Sequence, residues 1–133
     1  MTQDTSAKPT LKRYEGKTKA LIHGAQLKEL KKLPDDRGWL MELMRSDWPE
    51  FTKFGQVYIT CVYPGIIKAF HYHLFQTDYW VPAAGLLQVA LVDLRTNSKT
   101  FGAKNTLYIG ALRPWQLRIP PGDGPGSWRS HSQ

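Results

Sequence analysis

The chain has 133 residues, 41% of them hydrophobic, 12% aromatic and 22% charged, which suits one globular domain and excludes a disordered tail, a collagen-like repeat or two full-sized domains. Net charge is +7, but residues 1–33 hold eight basic side chains against three acidic ones, and the remaining hundred carry ten against eight. The excess therefore belongs to a solvated leader, and nucleic-acid binding is not expected. The single cysteine, Cys61, makes no internal disulfide and points to a reducing, cytoplasmic setting. No apolar run approaches the ~20 residues of a membrane span, so no membrane partner is expected.

In chain order, residues 1–33 read as a basic leader, partly flexible. Within it, Leu27, Leu30 and Leu33 have spacings that a short amphipathic helix or turn would use before Pro34 stops it. From Gly38 onward, short runs of Trp, Tyr, Val, Ile and Thr alternate with turn residues. These predict strands over 39–45, 54–62, 66–73, 78–82, 86–94, 105–109 and 116–119. Strands at this spacing, with no helix-length period after residue 33, predict an all-β sandwich or barrel and argue against βαβ units. The stretch Pro120–Gln133 is too rich in Gly, Pro and Ser to continue a core strand, which leaves 127–133 as a tail.

The segment from Gly65 to Gly85 holds the residues best suited to chemistry. On a strand over 66–73, His71 and His73 would share a face, with Asp78 a few residues on. Two imidazoles and a carboxylate either ligate a transition metal or exchange protons with a substrate; a buried hydrogen-bond network is the structural alternative. The five tryptophans (Trp39, Trp48, Trp80, Trp115 and Trp128) are expected mostly in the core or an interface rather than as a sugar-stacking set.

The spacing Gly-x5-His-x-His-x4-Asp-x6-Gly resembles the first signature of cupins, with Asp78 where a glutamate is usual. Pro120-Pro121-Gly122-Asp123-Gly124-Pro125 resembles the second signature, but Pro125 stands at the position of the fourth metal-ligand histidine. A proline side chain has no ligand atom, so no metal or other cofactor is expected, and His71, His73 and Asp78 are the only ligand set if one binds.

Within cupins, five ordered segments resemble the dTDP-4-dehydrorhamnose 3,5-epimerase family. They are Asp35–Glu42, Gln56, Lys68–His73, Asp93-Leu94-Arg95 with Ser98–Gly102, and Ile119–Gly122. The resemblance implies a double-stranded β-helix (jelly-roll) cupin over 34–126 and a nucleotide-sugar substrate, a dTDP-4-keto-6-deoxyhexose of deoxysugar or polysaccharide biosynthesis. It also implies a homodimer formed by strand exchange. His71 then takes the role of the proton-abstracting base, while Arg37, Glu42, Gln56, Lys68 and Gln76 line the substrate. Leu40 replaces a phenylalanine that stacks on the base, and Lys68 replaces an arginine, keeping the charge without the two-pronged grip. The family's catalytic lysine falls on Asp78, and its orienting aspartate and tyrosine acid have no counterpart here. The pair His71 and His73 also resembles sugar 3,4-ketoisomerases, in which both histidines face the sugar, with Asp78 suited to orient an imidazole. A non-catalytic cupin that binds a nucleotide sugar or only dimerises is the third reading.

Overall fold

The computed structural model describes residues 21–122 and 129–132, and every regular element among them is a strand. In chain order these are β1 (Gln26–Glu29), β2 (Lys32–Asp35), β3 (Gly38–Met41), β4 (Lys68–His71), β5 (Asp78–Trp80), β6 (Leu86–Val92), β7 (Lys104–Gly110), β8 (Trp115–Ile119) and β9 (Arg129–Ser132). They form a sheet β1-β8-β5, a separate hairpin β2-β3 and a sheet β4-β9-β6-β7, antiparallel throughout.

The core follows directly from period-2 alternation. Val89 and Leu91 on β6, Leu107 and Ile109 on β7, and Leu117 and Ile119 on β8 all turn inward and are buried. Leu21, Ile22 and Ala25 close the cluster from the segment before β1. Burying each Leu or Ile contributes about 1.5–3 kcal/mol, so these strands supply most of the apolar stabilisation. The β6 and β7 strands meet tightly at Gly110, where a Cβ would collide with the Gly85 carbonyl oxygen. Only glycine fits there.

Inward alternation on β6 does not end with Leu91. The next inward residue, Asp93, is 0% exposed and would be costly without partners. It has five donors. Its Oδ1 accepts from the backbone N–H and Nε of Arg95 at 3.1 and 2.9 Å, and its Oδ2 accepts from Arg95 Nη2, Ser98 Oγ and Thr100 Oγ1 at 2.9, 2.6 and 2.6 Å. Burial pushes the Asp93 carboxyl up, but the bonds from Arg95, Ser98 and Thr100 outweigh it and hold the group well below the usual carboxylate range. The same side chains continue outward: Arg95 Nη2 donates to the His23 carbonyl, and Thr100 Oγ1 accepts from the His23 N–H at 2.7 Å. Asn105 Oδ1 accepts from the Ile22 N–H at 2.8 Å. Arg118 Nη1 donates to the Gly24 carbonyl at 3.0 Å. A polar centre on one sheet thereby grips the backbone that leads into the other.

Four sequence expectations change. Residues 21–33 contain no helix; β1 pairs with β8 from Gln26↔Arg118 to Glu29↔Trp115, and Lys32–Asp35 forms β2. Leu27 and Leu30 are covered but Leu33 is exposed, so the leucines do not share one helical face. Residues 54–62 form no strand, because β-prone side chains need a paired neighbour and this segment has none among the described residues. The 127–133 tail is not wholly irregular: Arg129–Ser132 inserts as β9 between β4 and β6. The strand predicted over 66–73 is only Lys68–His71. The expectations for residues 1–20, Pro125 and Trp128 lie outside the described residues.

Substituting Asp93→Asn, which removes the charge that Arg95 faces, is expected to lower unfolding free energy by roughly 3–5 kcal/mol, read from a urea midpoint. A carboxyl with a depressed folded-state pKa stabilises fully above its unfolded value of about 4, and that stabilisation drains away as pH falls toward the folded value. Wild-type stability should therefore fall below about pH 4 more steeply than that of Asp93→Asn.

Candidate functional site

The end of β8 organises the candidate site. Asp78, the first residue of β5, pairs with Ile119 at the end of β8. Three residues later the buried Gly122 donates its N–H to the His73 carbonyl at 2.8 Å. One short run, Ile119–Gly122, therefore fixes both the start of β5 and the segment that follows β4. The second-signature residues act here as a backbone brace.

His71 is the last residue of β4, exposed, with Ser130 of β9 as its register partner. The register is irregular between Ala69 and His71, and the strand ends there. His73 therefore lies beyond β4, and strand alternation does not place the two imidazoles on one face. What meets His73 instead is Asp78: Nε2 of the imidazole lies 3.6 Å from Oδ2 of the carboxylate. Gln76 Nε2 donates to the other oxygen, Oδ1, at 2.6 Å. Gln76, Asp78 and His73 thus form one cluster from three of the predicted positions.

The other candidates are held elsewhere. Lys68 Nζ donates to Thr60 Oγ1 at 2.8 Å and to the Cys61 carbonyl at 2.6 Å, pinning the extended segment that contains Gln56. Gln56 itself is exposed. Arg37 lies at the β2-β3 turn, 2.6 Å from Asp35, whose carboxyl its guanidinium holds below the usual carboxylate range. Glu42 follows β3 and pairs with Arg45 at 2.8 Å. Both are exposed ion pairs, screened by solvent and of little weight for stability. Leu40 and Trp39 on the same hairpin are exposed, with Lys32 Nζ 4.6 Å from the Trp39 ring centre. Trp80 and Trp115 pack against the core.

Among the described residues no group of three or more His, Cys, Asp or Glu is placed to hold a metal ion. The ligand set His71, His73 and Asp78 is accordingly not assembled: the irregular end of β4 separates the first histidine from the other two. The buried network of Asp93, Arg95, Ser98 and Thr100 was visible in the sequence only as a motif. Its structural role was signalled by period 2 on β6, which carries a carboxylate inward. The anchoring of Tyr79, whose hydroxyl donates to the Glu50 carbonyl, had no sequence signal.

With only strands as regular elements among the described residues and the segment after β4 braced by Gly122, the fold is that of a jelly-roll cupin of the sugar-epimerase type. A family model described as dTDP-4-dehydrorhamnose 3,5-epimerase matches residues 19–129, and the chain belongs to that family. It is 46% identical over 102 residues to the spore coat polysaccharide biosynthesis protein SpsL of Bacillus subtilis (strain 168), covering 77% of this chain and 68% of that one. A Haloferax volcanii protein named as a probable low-salt glycan biosynthesis epimerase is 37% identical, covering 74% of this chain and 65% of its own length. This chain thus spans about two thirds of those relatives. The crystal structure of a dTDP sugar isomerase from Desulfovibrio desulfuricans G20 superposes with a TM-score of 0.73 at 30% identity, covering 84% of this chain and 75% of the other.

Cys61 is exposed on the segment that Lys68 pins. Its thiol is expected to react with one equivalent of a maleimide in native buffer, counted by mass spectrometry. Reaction only after unfolding would show that this segment is covered in solution.

Proposed function

We propose that this protein acts on a dTDP-4-keto-6-deoxyhexose in deoxysugar or polysaccharide biosynthesis, as an isomerase that moves protons beside the keto group. The observation that carries this reading is the family match across residues 19–129, centred on a histidine segment held by the Gly122 brace. His71 is the candidate base, because its exposed imidazole at the end of β4 suits proton removal from a sugar carbon. Removing that proton pushes an electron pair onto the ketone oxygen, and the enolate requires a donor there. Arg37, Glu42 and Gln56 are proposed to line the nucleotide, the first two reaching a partner subunit from the exposed β2-β3 hairpin. A homodimer by exchange of this hairpin fits its isolation as a two-stranded sheet with Leu33, Trp39 and Leu40 exposed. A cytoplasmic site of action fits the free Cys61, and no helix among the described residues is long and apolar enough to cross a membrane.

By the resemblance, Asp78 stands where the family carries its catalytic lysine. Loss of one oxyanion donor typically costs 10²–10³ in kcat, so turnover is expected to be slow unless another group substitutes. A ketoisomerase-like role for His73 beside His71 is favoured by one observation, the approach of His73 to Asp78 at 3.6 Å.

Incubation with dTDP-4-keto-6-deoxyglucose in deuterated water is expected to exchange ring protons, followed by NMR, and His71→Ala should slow exchange by at least ~100-fold. Absence of exchange together with a melting-temperature rise on adding dTDP would instead assign a binding role.

A further inference from the structure

Strands β5 and β4 are edge strands among the described residues, one in each of the two larger sheets. Residues 72–77, which hold His73, join them along the chain. A second stretch, 53–59, also runs between these two strands, and side chains rather than strand pairing hold it there.

Its first end is fixed on β5. Alternation turns Asp78 and Tyr79 to opposite faces: Asp78 pairs with the buried Ile119, and Tyr79 with the half-buried Arg118 on the outer face. From that face the Tyr79 hydroxyl donates to the Glu50 carbonyl at 2.5 Å. Its one proton is thereby used, so the 3.3 Å contact with Thr52 Oγ1 is a bond that the threonine donates. The chain before Thr52 is held on the same sheet by the other two strands. Buried Gln116 of β8 donates to the Leu43 carbonyl at 2.6 Å, and Lys28 of β1 meets Glu50 at 3.2 Å and the Trp48 ring centre at 4.4 Å. The second end is fixed on β4, where Lys68 donates to Thr60 Oγ1 and to the Cys61 carbonyl. Between these anchors, residues 53–59 pair with no strand among the described residues, and Phe54, Val57, Tyr58 and Ile59 are exposed. Little apolar burial opposes movement of this run, so its place depends on its two ends. Gln56 is its middle residue.

We infer that Tyr79 and Lys68 are positioning residues, which act at opposite ends of 53–59 to set Gln56 against the nucleotide. The inference rests on the proposed nucleotide-sugar reading, in which Gln56 lines the nucleotide, and it changes the part played by Lys68. The ammonium that the resemblance assigns to the substrate is already bonded to Thr60 and Cys61. Tyr79, to which the resemblance assigns nothing, becomes the link from β5 to the same segment. Releasing either end keeps the Gln56 amide but lets it wander, and binding must then order the segment at the cost of its lost freedom.

The test is a pair of double-mutant cycles on the full chain, read from the affinity for dTDP by isothermal titration calorimetry, with thermal melts confirming that each variant is folded. Tyr79→Phe, which removes one hydroxyl, and Lys68→Met, which removes the ammonium, are each expected to weaken dTDP binding about 5-fold. Gln56→Ala should weaken it at least as much, and adding either change to Gln56→Ala should cost less than about 2-fold more. Trypsin cleavage after Lys53 under native conditions should quicken at least ~5-fold in both end variants, because the segment opens more often. Unchanged cleavage or unchanged affinity in folded Tyr79→Phe and Lys68→Met would overturn the inference while the nucleotide-sugar reading stands. So would losses that add in full to that of Gln56→Ala, the result expected of a lysine that contacts phosphate directly or of a general loosening of the fold. Wild-type protein that does not bind dTDP overturns that reading, and this role for Tyr79 and Lys68 with it.

Discussion

The satisfaction of one buried charge organises much of this protein. Asp93 continues the inward face of β6 beyond Val89 and Leu91, where a hydrophobic residue would have ended the strand without consequence. A carboxylate there requires donors, and the residues after it supply them: Arg95, Ser98 and Thr100 wrap back around its two oxygens. Once fixed, Arg95 donates to the His23 carbonyl, Thr100 accepts from the His23 N–H, and Asn105 accepts from the Ile22 N–H. The backbone entering β1 is therefore tied to the β6-β7 sheet, while β1 pairs with β8 in the other sheet. The two sheets are joined through polar contacts at this end as well as through the shared apolar core.

The site inherits that constraint. Because β8 is clasped by β1 on one side and β5 on the other, its continuation through Pro120 and Gly122 has a defined position. Gly24 meets Pro120 with only 3.2 Å between its would-be Cβ and the proline ring, in a left-handed conformation that glycine adopts without strain. From there Gly122 reaches the His73 carbonyl. The path from the Asp93 centre to the histidine segment thus runs through side-chain grips on the His23 backbone, the Gly24 contact with the Pro120 ring and the Gly122 hydrogen bond. By contrast, the segment over 54–62 pairs with no strand among the described residues: Val57 is 84% and Ile59 91% exposed, and Lys68 tethers it at Thr60 and Cys61. Ile66, Ile67, Phe70 and Phe75, which follow it in sequence, are exposed as well.

Much of this was legible in the residues. Alternation in β6, β7 and β8 is strong because each strand has one fully buried face, and the strands predicted over 86–94, 105–109 and 116–119 fall on those elements. The histidine segment and its motif company were also legible, since the family resemblance rests on residue types in order. The failures share one cause. Leu27, Leu30 and Leu33 have helical spacing, yet β8 offers a free edge that β1 completes, and pairing outweighs local propensity. Arg129–Ser132 reads as a polar tail but pairs as a strand between β4 and β6. Residues 54–62 read as a strand but pair with no strand among the described residues.

By itself, the sequence determined the fold class, the family and the small set of side chains able to do chemistry, because these depend on residue type, periodicity and order along the chain. Only the tertiary structure decided which of those side chains meet. It separated His71 from a metal set and brought His73, Gln76 and Asp78 together, and it turned the Asp-Leu-Arg motif from a family mark into a structural tie. The physical reason is that strand pairing is a long-range choice: which edges are free, and where a strand such as β4 stops, depends on the whole sheet. Whether two residues separated by a turn end up 3.6 Å apart is set by the neighbour that braces both, here the end of β8.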